Sequence, residues 1–161
     1  MITDLNQLLA QEAELQFEHF DNHTAWQLGC LIKHNAEQSE VNVAIEIVRN
    51  QHCLFSFAMP DTAPDNQCWI ARKRNVVERY HHSSWYMGQY YKAKGKTIEQ
   101  ASLVDAQQFA PYGGSFPLII RGVGVVGAIS VSGLPQYQDH KLVVDSIAQY
   151  LAENESNKEV L

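Results

Sequence analysis

The chain has 161 residues, 45% of them hydrophobic and 19% charged, with a formal net charge of −6 and a pI near 5.6. Those values describe a soluble globular protein with ample chain for one hydrophobic core, and the acidic balance argues against nucleic acid as its main partner. No apolar run approaches the roughly 20 residues of a membrane span, no basic segment followed by an apolar core opens the chain, and three cysteines without metal-ligand spacing (Cys30, Cys53, Cys68) fit small apolar residues in a reducing cytoplasm.

The first predicted element is an amphipathic helix over Thr3–Gln16, with Asp4 and Gln7 spaced as a capping box and Leu5, Leu8, Leu9 and Ala13 as its apolar stripe. Phe17–Phe20 reads as a linker or a brief strand. Asp21 is a natural N-cap for a second helix to about Gln38, with Ala25, Leu28, Ile32 and Ala36 near one face. Val43, Ile45 and Ile47 alternate with Ala44, Glu46 and Val48, which predicts a half-buried strand over Val43–Arg49. Asn50-Gln51 supplies a two-residue turn into a second strand carrying Leu54, Phe55, Phe57 and Ala58.

Met59-Pro60-Asp61 ends that hairpin, and Ala63-Pro64-Asp65-Asn66 opens another helix by combining a proline with an Asx cap. The spacing predicts one long helix from about Asn66 into the nineties, bent near His81–Ser84 and stopped by Gly95. A short helix is placed within Ala101–Phe109. Phe116–Arg121 and Val123–Val131 are dense in β-branched and apolar residues and predict a second hairpin turning at Arg121-Gly122. Gly124 and Gly127 in its second strand mark a bulge or a close backbone approach. Ser132-Gly133-Leu134-Pro135 breaks that strand, and a last helix runs from Gln136 to about Glu153 with Asp139 in its first turn. Asn154–Leu161 is a polar, frayed tail, so the reading is a single domain over 1–161 with its core over about 15–152.

Two hairpins separated by helices predict an α+β fold, a central and mostly antiparallel sheet flanked by helices, with an extra edge strand near Phe17 or Val104. Trp85, Tyr86, Tyr90 and Tyr91 read as exposed aromatics suited to self-association.

The long helix holds the sharpest anomaly. Trp69, Ile70, Val76, Val77 and Tyr80 share one face, Ser84 and Met87 extend it, and Lys73 falls near its centre. An ammonium in an apolar stripe must snorkel, pair with a carboxylate such as Asp139 or Glu46, or meet an anionic ligand in a cleft. Arg72, Arg74 and Arg79 surround it, which suits either a carboxylate or phosphate ligand or the acids of a second subunit. With these go Ser84, Gly113-Gly114, Ser132 and Asp139, giving a candidate cleft of Lys73, Arg72, Arg74, Ser84, Gly113, Gly114, Ser132 and Asp139. Adjacent His81 and His82 point in different directions from a regular helix, and no His-x-x-x-His or Cys-x-x-Cys occurs, so no dedicated metal site is expected. His140 reads as a partly buried histidine donating to a backbone carbonyl. No serine stands in a G-x-S-x-G elbow, and the glycines at 122–127 do not precede a helix as a dinucleotide fingerprint would.

The segment Asp65–Val77, DN-x-x-WI-x-RKRNVV, together with GG-x-FP at Gly113–Pro117, GVVGAISVSGLP at Gly124–Pro135 and Asp139-His140, resembles the haem-degrading-domain (GlcG/HbpS-like) family over roughly Leu15–Leu151. The resemblance implies a profilin-like arrangement of the sheet and helices and a homo-oligomer. The residues leave the cofactor unknown; haem enters through the resemblance only, no axial ligand carries over by motif, and His82 and His140 are weak candidates for one. The functional readings are therefore a small-molecule binding domain for an anionic ligand, which could carry an activity; haem binding or degradation; or a non-catalytic oligomeric scaffold.

Overall fold

Asn50 and Gln51 both adopt positive φ, 49° and 63°, as a tight two-residue hairpin turn requires, and they join β1 (Ala44–Arg49) to β2 (His52–Ala58). A second hairpin is formed by β3 (Ser115–Ile120) and β4 (Gly124–Ser132). The structure, a computed structural model, describes residues 1–159, and side chains through 155. The two hairpins meet between β1 and β4, giving an antiparallel sheet of order β2-β1-β4-β3 in which Ala44 faces Ser132 and Ile47 faces Ile129.

The second hairpin departs from the expected two-residue turn. Ile120 pairs with Gly124, so Arg121, Gly122 and Val123 all lie in the loop, closed by Val123 N–H donating to Ile120 O at 3.0 Å. Positive φ at Gly122 (75°) and Gly124 (113°) makes that loop possible. A register shift opposite Leu118 and Ile119 leaves Val126 as the extra residue of a bulge. Next to it, a Cβ on Gly127 would overlap the carbonyl oxygen of Val48 on β1, the close approach that the glycine signalled. Beyond β3, Phe17 forms a single parallel bridge: its N–H donates to Ile119 O and its carbonyl accepts from Arg121 N–H, both at 2.8 Å. Phe17 is thus the extra edge pairing, while Val104 packs in a small satellite cluster away from the sheet.

Helices cover both faces. On one, α2 (Asn22–Gln38) and α6 (Gln136–Glu159) bury Leu28, Ile32, Val143 and Ile147 against Ile45, Ile47, Phe116, Leu118, Ile129 and Val131. On the other lies α3 (Pro64–Tyr80), against Ala44, Val48, Ala128 and Ser130, small or short side chains that let the helix come close. The half-buried reading of β1 is corrected here: Ala44 and Val48 are as buried as Ile45 and Ile47, because α3 takes the face assigned to solvent.

Several helix boundaries also differ. The first helix, α1, is shorter, Leu5–Glu14, with Asp4 Oδ1 accepting from Gln7 N–H at 2.9 Å. At the start of α3 the cap is reversed: Ala63 is the N-cap, and Asn66 reaches back to accept from Ala63 N–H at 2.9 Å. The long helix is two helices. His81 turns left-handed (φ 59°) to close α3, and Ser83, whose hydroxyl accepts from Tyr86 N–H at 3.1 Å, starts α4 (Ser84–Lys94). The short helix α5 spans Ile98–Ser102 rather than Ala101–Phe109, because Thr97 and Gln100 form a reciprocal cap. Trp85 and Tyr91, expected exposed, are buried, and Tyr86 and Tyr90 are half-buried. Helix α6 continues to Glu159, past Glu153; the end of the expected tail, residues 160–161, lies outside the described residues.

Candidate functional site

Lys73 projects from the sheet-facing side of α3 and is 3% exposed. Its ammonium has three donors, and all three are used: Val131 O at 2.7 Å, Gly113 O at 3.0 Å and Asp139 Oδ2 at 3.1 Å. Asp139, also 3% exposed, accepts from Leu134 N–H at 3.0 Å through its other oxygen. Of the alternatives open to this lysine, pairing with Asp139 is the one realised; Glu46 instead pairs with Arg74. Burial is the main influence on both groups, lowering the Lys73 pKa and raising that of Asp139, while each partner pulls the other back toward its charged form.

Gly113 and Gly114 make this pair possible. A Cβ on Gly114 would overlap the Lys73 ammonium, and one on Gly113 would overlap the carbonyl of Gln136 at the start of α6. Gly114 also holds φ 129°, which a side chain would strain. The glycine pair therefore packs around a lysine and a helix end.

Beside this pair opens a cleft of about 400 Å³, lined by Asn66, Trp69, Lys73, Tyr112, Gly113, Ser132, Gln136 and Asp139, among others. Asn66 Nδ2 donates to Ser132 Oγ at 3.3 Å across it. Trp69 and Tyr112 stack at 5.6 Å and 29°, and both also line a second cleft of about 290 Å³ with Arg72, Lys92, Lys96 and Glu99. The Arg72 guanidinium lies 4.2 Å over Trp69, its Nε donating to Cys68 O at 3.2 Å.

The candidates read from the sequence separate accordingly. Lys73, Gly113, Ser132 and Asp139 line the first cleft, Arg72 lines the second, and Gly114 lies beneath Lys73. Ser84 is fully buried, donating to Ser115 O at 3.2 Å and accepting from Ser115 N–H at 3.0 Å, so it fastens α4 to β3 outside both clefts. Arg74 is turned to Glu46 and, at 3.8 Å, to Glu78. Trp69 belongs to the apolar stripe in the sequence pattern, Asn66 and Gln136 mark helix starts there, and Tyr112 carries no signal; the aromatic stack joins residues far apart in the chain, and no local spacing announces it.

The two histidines are both engaged. Nδ1 of His82 lies 2.7 Å from Glu12 Oε2, and the other Glu12 oxygen accepts from Ser83 N–H at 2.7 Å. His140 is 2% exposed, and its partner is a side chain rather than a backbone carbonyl: Nε2 lies 3.1 Å from Gln11 Oε1. Its Nδ1 has no partner among the described residues, and burial pushes its pKa down to about 4.

The family described as "Haem degrading protein HbpS-like" matches residues 20–148. A UPF0303 protein of Psychromonas ingrahamii is 48% identical over 147 residues, covering 91% of this chain and 92% of its own length. A UPF0303 protein of Streptomyces coelicolor is 49% identical over 147 residues, 91% of this chain and 93% of its own. Among solved structures, the Ybr137w protein matches with a TM-score of 0.87 and 32% identity, over 94% of this chain and 89% of that one. HbpS (TM-score 0.65, 16% identity, 84% and 92% covered) and a PduOC–haem complex (0.67, 20%, 80% and 93%) share its fold.

Proposed function

The chain belongs to the HbpS-like haem-degrading family, and from that premise we propose that it binds a small anionic molecule at the two clefts that share Trp69 and Tyr112. Arg72 carries this reading. Its guanidinium sits at the cleft wall, and its one ion pair among the described residues is a loose one, to Asp65 at 3.9 Å with a side chain 74% exposed. Lys73 and Arg74, by contrast, have close carboxylate partners, so they add little attraction for an anion. Lys92 and Lys96 line the same cleft with Glu99, so the three cations leave it net positive. A carboxylate or phosphate would take the Arg72 fork, and the flat part of the ligand would lie along Trp69 and Tyr112. In this reading the Lys73–Asp139 pair is net neutral and fixes the floor and the loop before α6.

The test is a thermal-shift and calorimetric screen against small carboxylates, phosphates, nucleotides and haem, on the wild type and Arg72→Met. A saturable shift from an anionic compound, lost in Arg72→Met with the unliganded melting temperature unchanged, supports the assignment. A shift indifferent to Arg72, or none from any anion, overturns it. Haem is in the screen because the family's description names it. A Soret band saturating at one haem per chain and abolished by His82→Ala would move the function there.

The chain is further proposed to self-associate through the outer edge of β2. Strand pairing is open on that side, and Trp26 (61% exposed) and Phe57 (39%) lie nearby in α2 and β2. Light scattering that returns the mass of one chain at micromolar concentration would sink this part.

A further inference from the structure

Tyr86, Tyr90 and Lys94 recur every four residues along α4, so they share one side of that helix. The two tyrosine rings are stacked at 6.2 Å and 21°, and the Lys94 ammonium lies 4.3 Å over the ring of Tyr90. With Tyr80 from the last turn of α3, Met87, Tyr91, His82 and Ser102, they line a cleft of about 450 Å³, within the size range of small-molecule sites. It shares Tyr91 alone with the clefts around Arg72.

Two observations show what this cleft lacks. The Tyr80 hydroxyl is buried and has no hydrogen-bond partner among the described residues. It lies against Tyr91, whose hydroxyl pairs with Ser102 Oγ at 2.7 Å, and the contact between the two phenols falls short of a well-formed hydrogen bond. Buried hydroxyls are seldom left this way, because the lost hydrogen bond to water is not replaced. Second, Lys94 has no carboxylate within ion-pair distance among the described residues; the acid beside His82 and Tyr86, Glu12, is held by His82 and Ser83. The walls are thus aromatic, the rim carries an uncompensated cation, and the interior presents a spare phenol donor.

We propose that this cleft binds a planar aromatic carboxylate of one or two fused rings, with the ring against Tyr86 and Tyr90, the carboxylate at Lys94, and the Tyr80 hydroxyl donating a hydrogen bond. An aromatic cage for a quaternary ammonium would have similar walls. Lys94 disfavours it, since a cationic ligand would be repelled at the rim. The proposal stands apart from the Arg72 site and can hold if that reading fails.

The experiment is isothermal titration of the wild type, Lys94→Met, Tyr80→Phe and Arg72→Met with 2-naphthoate, with its methyl ester and benzyltrimethylammonium as comparison ligands. Both changes should fold normally, because Lys94 is exposed and Tyr80→Phe removes only the unpartnered hydroxyl; unchanged melting temperatures check this. The expected result is one naphthoate per chain, with affinity falling about tenfold in Lys94→Met, several-fold in Tyr80→Phe, and comparably for the ester. Four outcomes overturn the proposal. They are absence of saturable binding, equal binding of the ester or the ammonium compound, indifference to both substitutions, and loss in Arg72→Met with retention in Lys94→Met.

Discussion

Asp139→Asn would show how much of the fold hangs on one ion pair. The substitution keeps the size of the side chain and an oxygen for Leu134 N–H, but it removes the negative charge 3.1 Å from the Lys73 ammonium. Lys73 keeps two carbonyl acceptors, yet its charge is then uncompensated at 3% exposure. Breaking one side of a buried pair costs roughly 3–5 kcal/mol, a large share of the stability of a typical domain. Lys73→Met should also be costly, since it strands Asp139 with one hydrogen bond and removes the donor from two buried carbonyls. The double variant removes both charges and should be less destabilised than the sum of the single variants by about 2 kcal/mol or more. Urea denaturation at pH 7, followed by fluorescence and circular dichroism, gives the four free energies. The sign of the pH dependence is a further check. With Asp139 neutralised, the Lys73 pKa falls further below its ordinary value, so the unfolded chain binds the extra proton and stability should rise toward alkaline pH. The double variant should lack that rise. An Asp139→Asn loss below about 1 kcal/mol, or strictly additive effects, would refute the reasoning.

Other outcomes follow from single contacts. His140 is held down at about 4 from an ordinary 6.5, so the unfolded chain takes up a proton below pH 6.5 that the fold refuses until about pH 4. Between pH 7 and 4.5 this one group should therefore remove about 2 kcal/mol of stability, and His140→Leu should lose that share of the acid sensitivity in parallel urea titrations. An acid dependence identical to the wild type would contradict its burial as a neutral base. Gly127→Ala should cost about 3 kcal/mol or more, because the added methyl meets the Val48 backbone oxygen rather than a movable side chain. A change below about 1 kcal/mol in the same denaturation assay would mean that β1 and β4 are not in this register.

How much of this was legible in the sequence depended on how local the cause was. Both hairpins were readable, because alternation, Asn50-Gln51 and the glycines of β4 act over a few residues. The place where α3 gives way to α4 was legible, since the sequence puts a bend at His81–Ser84, but the full break was not. Tyr80-His81-His82-Ser83 contains neither Pro nor Gly, so no local rule forces His81 left-handed; the docking of Glu12 on His82 and Ser83 turns the bend into a break. Lys73 stood out in the apolar stripe, and Asp139 was already one of two named partners. Their separation of 66 residues left the choice to the tertiary fold. The same holds for Ser84 and Arg74, chosen for residue type and position on the helix, which the fold directs to Ser115 and Glu46. The stack of Trp69 on Tyr112 left no local trace, although it forms the wall common to the two clefts.

The most direct test of the account is the calorimetric titration of the purified chain with the anionic compounds that shift its melting temperature, run beside Arg72→Met. The account predicts saturable binding of one carboxylate or phosphate ligand per chain, weakened at least about tenfold in Arg72→Met with stability unchanged. Equal affinities in the two proteins would contradict the central claim that Arg72, over Trp69, is the group that receives the ligand's charge.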